Sequence, residues 1–419
     1  MNDSDARWLA DMLDGAGMSP VATFEEADVT VLYTCSVRRS AEDRVHGQLG
    51  HLKPLKARRP DMVLCVTGCM AGADRQELAQ RYPFVDLFVP PTEMESLPQL
   101  ILSARRDQAC APSAEGYGAR VPVSAAVTVI RGCDKYCSYC IVPFRRGAQK
   151  SRTEDEILAE AESLVRRGAR EIVLLGQTVD SWGRDLSPPR SFASLLRSVA
   201  DVPGLQRLRF LTSHPNDFTP DIVDAMAECP AVCEELNLPI QSGDDEILRR
   251  MARRYTVRRY LQLVDELRRA IPDIALSTDV IVGFPGETAR QFENTMALLR
   301  EVEFDVVHVA AYSARPGTAA ERNMADDVPL EEKKRRLHQV EELQTAISGR
   351  KNAETVGRSV EVLVEGREKG KWYGRTRSNK LVFFQHENDV TGQLVQVDVE
   401  GAGAWSLRGS LAVPAILPR

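Results

Sequence analysis

Six times between residues 123 and 348 the chain presents a short apolar run followed by an amphipathic stretch with helical spacing. The runs are 127–131, 171–175, 207–212, 235–239, 276–282 and 306–312. Strand-then-helix units repeated in this way build parallel sheets, because each return helix packs back across its strand. Six units predict a parallel, partly closed barrel. One helix marks its own start with Thr153 and Glu156, a capping box for the free N–H groups of a first turn. In such barrels the chemistry collects where the strands end. Here those ends carry Gly132 and Cys133; Gly176 and Gln177; Ser213, His214 and Asn216; Gln241, Ser242 and Asp244; Asp279 and Gly283; Ser313 and Arg315. Turns are polar in any protein, but six successive ends of small and polar residues point to one functional rim.

Two blocks flank this repeat. Residues 1–111 alternate helical patterns with apolar runs at 30–34, 62–67 and 85–89, which predicts a parallel α/β domain. The stretch 108–121 is rich in Ala, Gly, Ser and Pro and reads as a linker. Beyond residue 351 the period shortens: 360–365, 381–384 and 393–399 are β-forming runs between glycine-containing turns. That pattern predicts a small antiparallel barrel of a kind that often binds nucleic acid. The expected fold class is therefore α/β, with a parallel α/β domain at 1–111, a partly open six-unit (β/α) barrel at 119–348 and an antiparallel β-barrel at 351–415.

Composition narrows the function. The 54 Lys and Arg against 60 Asp and Glu leave a net charge of −6, so any nucleic-acid site must be a local patch. No apolar run approaches the ~20 residues that cross a bilayer. The first 13 residues carry acids and no apolar core, which reads against a secretory leader. The expected compartment is the cytoplasm. Nine cysteines in a long chain of this kind are not a disulfide framework, so those at ligand spacing favour metal binding or catalysis.

Cys133-x3-Cys137-x2-Cys140 is the strongest chemical signal. Three thiolates within eight residues can hold three corners of an iron–sulfur cube and leave the fourth iron open to a small molecule. A zinc site would add a fourth Cys or His nearby, but Ile141, Val142, Pro143 and Phe144 follow. Cys35 and Cys69 each sit just past a strand of the first domain, and adjacent parallel strands would bring their turns to one sheet edge. They read either as two ligands of a second metal site or as buried small hydrophobes. Cys65, Cys229 and Cys233 read as packing residues, and Cys110 lies in the linker.

The cysteine spacing resembles that of the radical S-adenosylmethionine superfamily. The resemblance implies that the open iron chelates S-adenosylmethionine and that one electron cleaves it to a 5′-deoxyadenosyl radical. It implies that Tyr139 leans on the adenine, that Gly176 and Gln177 meet the methionine amine, and that 279–287 (DVIVGFPGE) lines the adenosine pocket. Gln241 and Asp279 are counted with the cofactor-binding residues. The glycines read equally as turn or core positions.

The segments TCSVRRSAEDRVHGQLG, GCM, RGCDKYCSYCIVPFRRG, LLGQTVDSWG, SHP, LPIQSGDDEILRRMARRY, DVIVGFPGET and YSARPGTAA run in an order that resembles the radical S-adenosylmethionine methylthiotransferases, over nearly the full chain. Within them, 36–45 (SVRRSAEDRV) resembles the branch that makes 2-methylthio-N(6)-dimethylallyladenosine in tRNA. The resemblance implies two 4Fe-4S clusters: a radical cluster on Cys133, Cys137 and Cys140, and an auxiliary cluster with Cys35 and Cys69 as two of three ligands. The expected activity is insertion of a methylthio group at C2 of the modified adenosine at tRNA position 37. The same chemistry on threonylcarbamoyladenosine or on a ribosomal-protein aspartate is the alternative, as is an RNA-binding iron–sulfur protein without catalysis.

The expected partners are a tRNA anticodon stem-loop and a one-electron donor such as flavodoxin or ferredoxin, with no membrane and a monomeric protein. Two basic patches could meet phosphates. One is 249–259 (RRMARRYTVRR). The other is 366–380 (GREKGKWYGRTRSNK), from which Lys371, Arg375, Arg377 and Lys380 are the candidates, with Trp372 and Tyr373 interleaved. A solvated charged face is the plainer reading of each. At the other end, Ala6, Leu9, Ala10 and Leu13 share one helical face with Asn2 as N-cap. A strand is expected before that helix. The resembled family reads Cys-Gln-Met-Asn at this point, which would put a third auxiliary-cluster cysteine two residues before Met1.

Overall fold

Val29–Thr34, Val63–Gly68 and Leu87–Val89 pair in parallel, in that order, in a computed structural model that describes residues 2–34, 39–72, 75–104 and 121–412. The chain separates into two compact units. The first is Met1–Arg120 with Arg131–Lys135 and Ile141–Lys150; the second is Val121–Ile130, Tyr136–Cys140 and Ser151–Arg419.

In the first unit the central strand Val63–Gly68 is buried along its whole length, as a strand covered on both faces must be. One face packs Leu64 and Val66 against Val45, Leu49, Leu52 and Leu78 of the helices Arg39–Arg58 and Arg75–Arg81. The other packs Cys65 and Val89 against Leu9, Leu97 and Ile101 of Asn2–Gly15 and Leu97–Ala104. The first helix takes the expected position with two corrections: Asn2 is its first helical residue rather than its cap, and Ala10 is exposed. Register pairs Thr34 with Gly68, so the residues preceding Cys35 and Cys69 lie side by side. Cys35 itself lies outside the described residues, as does the expected linker up to residue 120 with Cys110 in it.

The second unit holds the six parallel strands. Ser124–Thr128, Glu171–Leu175 and Arg207–Phe210 form one sheet, and Glu235–Asn237, Ala275–Val282 and Val306–Ala311 another. A parallel bridge between Leu208 and Val232 carries the sequence from one to the other. This is the partly open six-unit barrel, its strands packed in one apolar core with the surrounding helices through residues such as Val127, Leu174, Phe210, Leu236 and Val280. The first strand begins earlier than the apolar run suggested, because Ala125 and Val127 supply its buried face, and Ile130–Arg131 is a separate short strand. Thr153 and Glu156 close the expected capping box.

The C-terminal barrel closes in the order Ser359–Glu368, Lys371–Arg375, Leu381–Gln385, Leu407–Leu411, Leu394–Ala402. All neighbours are antiparallel except Leu381–Gln385 with Leu407–Leu411. Two of its strands, KWYGR and LRGSL, carry too much charge and glycine to read as strands. Their inward residues Trp372 and Leu407 nevertheless join Val362, Val382, Phe384 and Val397 in the barrel core. Trp372 is thus a core residue, its Nε1 donating to the His386 carbonyl at 2.9 Å.

At the N-terminal ends of the six strands the two barrels are joined by charge. The Arg207 guanidinium, fully buried, donates to the Arg375 carbonyl at 2.6 Å and to Glu361 Oε1 at 2.9 Å. Arg209 donates to the carbonyls of Thr376 and Arg377, both at 2.7 Å, and to Glu171 at 2.8 Å, with Glu235 at 3.5 Å. Burial pushes the Glu235 carboxyl upward despite Arg209 beside it. Buried ions persist only when paired and hydrogen-bonded in this way.

Candidate functional site

The residue before each of two candidate cysteines is fixed first. Gly132 has φ +70° and Gly68 φ +93°, a left-handed backbone that only glycine adopts at no steric cost. A Cβ at Gly132 would lie 2.1 Å from the Ala148 carbonyl oxygen, and one at Gly68 2.3 Å from that of Thr34. The turns then close: the Cys133 N–H donates to the Gly147 carbonyl at 3.2 Å and the Cys69 N–H to that of Thr34 at 3.1 Å. Both thiols are buried. In the same unit Arg146 donates from Nε to Cys69 Sγ at 3.2 Å and from Nη2 to the Tyr33 hydroxyl at 3.2 Å.

In the second unit Cys137 and Cys140 share a tight turn, the Cys140 N–H donating to the Cys137 carbonyl at 2.9 Å. Ser138 pins this turn. Its N–H and hydroxyl donate to the Met251 and Arg250 carbonyls, at 3.0 and 2.8 Å, and its carbonyl accepts from Ala320 at 2.7 Å. Arg253 reaches the turn from the segment after the fourth strand and donates from Nη1 to Cys137 Sγ at 3.5 Å. Tyr139 packs edge-on against Phe284, ring centroids 6.5 Å apart, so the motif 279–287 and the aromatic of the cysteine turn do meet. Burial raises the Tyr139 hydroxyl well above its usual range. The motif braces itself, because Glu287 accepts from the Gly283 N–H at 2.6 Å and from Arg336 at 2.7 Å.

Gln241 and Asp279 are neighbours on adjacent strands. The Gln241 N–H donates to the Asp279 carbonyl at 2.9 Å, and Asn237 Nδ2 donates to the Asp279 carboxylate at 3.2 Å. Gly176 is placed by packing, since a Cβ there would lie 2.2 Å from Ile130 Cγ2, and Gln177 beside it is half-buried. The rim after the second strand is tied to that after the third by the His214 N–H, which donates to Asp180 Oδ2 at 2.7 Å. Thr212 and Gln241, both at strand ends, are left-handed without being glycine, with φ +72° and +71°. Such strain costs on the order of 1 kcal/mol or more per residue and gathers at functional sites.

The donor set fits an iron–sulfur cube. Cys133, Cys137 and Cys140 form no disulfide, and soft thiolates at this spacing select iron–sulfur clusters. Among the described residues no three His, Cys, Asp or Glu side chains gather tightly enough for a single metal ion. A cube sets its thiolates on separate irons, which spaces them more widely. Cys65 and Cys233 are buried, with thiols pushed by burial to about 12 and about 11 respectively, as packing residues should be.

The basic patches need correction. Arg377 is turned onto the central barrel, donating twice to Glu234 at 2.7 and 2.8 Å and to the Val232 carbonyl at 2.7 Å. Lys380 donates to Asn352 at 2.6 Å and pairs with Asp305 at 3.7 Å, and burial lowers its ammonium pKa. Arg375 is held by Asn379 and by Glu365 at 3.4 Å. Of the four candidates Lys371 alone is exposed. In the other patch Arg249 and Arg259 pair with Glu246 and Glu266, Arg254 and Arg258 are exposed, and Arg253 is buried. A charge run read as a string cannot show which members turn inward. Arg377→Ala is accordingly expected to cost about 1.5–3 kcal/mol of stability, the worth of charge-assisted bonds, as a lowered urea midpoint. An unchanged midpoint with weakened tRNA binding would return the residue to an RNA role.

Three family models match this chain: the Radical SAM superfamily over residues 127–299, Uncharacterized protein family UPF0004 over 1–90 and the TRAM domain over 353–412. A curated protein of Dehalococcoides mccartyi (strain ATCC BAA-2266 / KCTC 15142 / 195), named tRNA-2-methylthio-N(6)-dimethylallyladenosine synthase, is 44% identical over 98% of this chain and 96% of its own length. Proteins of the same name from Roseiflexus sp. (strain RS-1) and Moorella thermoacetica are 47% and 44% identical, each over 98% of this chain and over 87% and 96% of their own lengths. Among solved structures, the radical S-adenosylmethionine methyltransferase TsrM from Kitasatospora setae shares the fold at a TM-score of 0.54, with 16% identity over 75% of this chain and 68% of that one. The superfamily implies a 4Fe-4S cluster and S-adenosylmethionine. With relatives matched over 98% of this chain and all three parts in order, the chain belongs to the radical S-adenosylmethionine family of tRNA-2-methylthio-N(6)-dimethylallyladenosine synthases.

Proposed function

We propose that this enzyme transfers a methylthio group to C2 of N(6)-dimethylallyladenosine at position 37 of tRNA. The observation that carries the reading is the full-length relation to synthases of that name, at 44–47% identity. Cys133, Cys137 and Cys140 would hold the radical cluster, and Cys69 with Cys35 would contribute to an auxiliary cluster. When bound, these groups would supply the radical and the sulfur, with the electron coming from an outside donor. The chain's own residues bind and orient. Tyr139, resting on Phe284, offers a ring edge beside the adenosine-lining motif. Asp279, steadied by Asn237, and Gln241 present polar groups at two adjacent strand ends. Gly176 and Gln177 complete the rim.

The target base lies in a single-stranded loop, so it can be splayed into the rim at small unstacking cost. The TRAM barrel would take RNA through exposed charge such as Lys371, while Arg377 and Lys380 hold the barrel in place and Arg375 is held within it. An outside one-electron donor of the flavodoxin or ferredoxin type would reduce the cluster, and the protein would act as a cytoplasmic monomer. No helix among the described residues is long and apolar enough to cross a membrane.

Mass spectrometry of tRNA nucleosides from a deletion strain tests the substrate. Loss of the methylthio-dimethylallyl nucleoside, restored by this chain, is expected. Loss of a methylthio-threonylcarbamoyl nucleoside instead would reassign it.

A further inference from the structure

Arg253 sits in a segment rich in arginine, yet it is only 7% exposed, while Arg254 beside it is exposed. Its guanidinium makes three contacts. Nε donates to the Tyr255 hydroxyl at 2.9 Å, Nη2 to the Pro239 carbonyl at 3.0 Å and Nη1 to Cys137 Sγ at 3.5 Å. The last distance suits an N–H···S bond, sulfur being larger than oxygen. Tyr255 is anchored in turn, its hydroxyl lying 3.1 and 3.0 Å from the Pro239 and Ile240 carbonyls. The guanidinium is therefore set by the end of the fourth strand and not by solvent.

Charge completes the argument. Among the described residues no carboxylate pairs with Arg253. The guanidinium is a fixed, buried cation with one N–H on the Cys137 sulfur. We infer that Arg253 is a positioning residue for the cysteine turn, fixing Cys137 Sγ and raising the reduction potential of the cluster bound there. Addition of one electron from an outside reductant makes the cluster more negative, with no bond formed or broken in the protein. A fixed cation one hydrogen bond away stabilises that reduced form more than the oxidised one. Outer-shell donors tune metal centres in this way. The inference rests on the assignment of Cys133, Cys137 and Cys140 to the radical cluster.

The test is an anaerobic redox titration of the reconstituted holoenzyme with dithionite and mediator dyes. It follows the paramagnetic signal that changes on adding S-adenosylmethionine. In Arg253→Gln the ratio of reduced to oxidised cluster, read at the parent's midpoint, is expected to fall about tenfold. For one electron that is a shift of about 59 mV to lower potential. Arg253→Lys, which keeps the charge, is expected to stay within about threefold of the parent. Should the Gln variant fail to take up iron, the Lys variant decides alone, and a tenfold fall there overturns the inference. An unmoved midpoint in the Gln variant overturns it as well. So does weaker S-adenosylmethionine binding at constant midpoint, which would give the guanidinium to the cosubstrate. A parent enzyme with no signal responsive to S-adenosylmethionine would overturn the cluster assignment first and the role of Arg253 with it.

Discussion

Cys137→Ala protein, reduced anaerobically with S-adenosylmethionine, is expected to yield at least about a hundredfold less 5′-deoxyadenosine than the parent. Even an outer-shell partner of a metal ligand is worth about 10–100-fold, and this substitution removes the ligand itself. It also leaves the buried Arg253 guanidinium facing a methyl group. Cys65 provides the contrast. That thiol is buried in the sheet of the first unit, with no hydrogen-bond partner among the described residues. Cys65→Ala should leave cleavage within about twofold while lowering stability, as small core truncations do. Chromatography of the nucleoside products measures both. A normal rate in the Cys137 variant would sink the cluster assignment.

The second large effect is expected far from the chemistry. Arg209→Ala removes the cation shared by Glu171 and Glu235, both nearly fully buried. Breaking a buried ion pair from one side costs about 3–5 kcal/mol, because the remaining charge has no partner. The Thr376 and Arg377 carbonyls lose their donors at the same time. The unfolding free energy should fall by that amount, read as a lowered urea midpoint, and the C-terminal barrel should become the first target of limited proteolysis. An unchanged midpoint would mean that the network adds nothing to stability.

Much of this was legible in the string of residues. The six strand ends could be placed on one rim because the alternation of strand and helix dictates which end of a parallel barrel follows each strand. The cysteine spacing needed no structure at all, and Thr153 with Glu156 read directly as a helix start. What escaped was orientation. Arg253, Arg377 and Lys380 each sit in a run of basic residues, where period and charge give no sign of an inward turn. Their partners, Cys137, Glu234 and Asp305, are far away in the chain. Arg146 follows the cysteine run at a position that spacing marks for nothing, yet it meets a sulfur 77 residues distant. The strands Lys371–Arg375 and Leu407–Leu411 were hidden for a related reason. A barrel strand needs only its inward residues to be apolar, and in strands this short those are few.

The charged seam between the two barrels has a consequence for exchange between relatives. Glu171, Arg207, Arg209, Glu234 and Glu235 on the central barrel, and Glu361, Arg377 and the Arg375–Arg377 carbonyls on the other, are matched donor for acceptor. The TRAM barrel is therefore not a detachable cassette. A transplanted barrel from a distant RNA-binding protein would bury these arginines against strangers, and it would have to bring its own complement of carbonyls and carboxylates to be accepted.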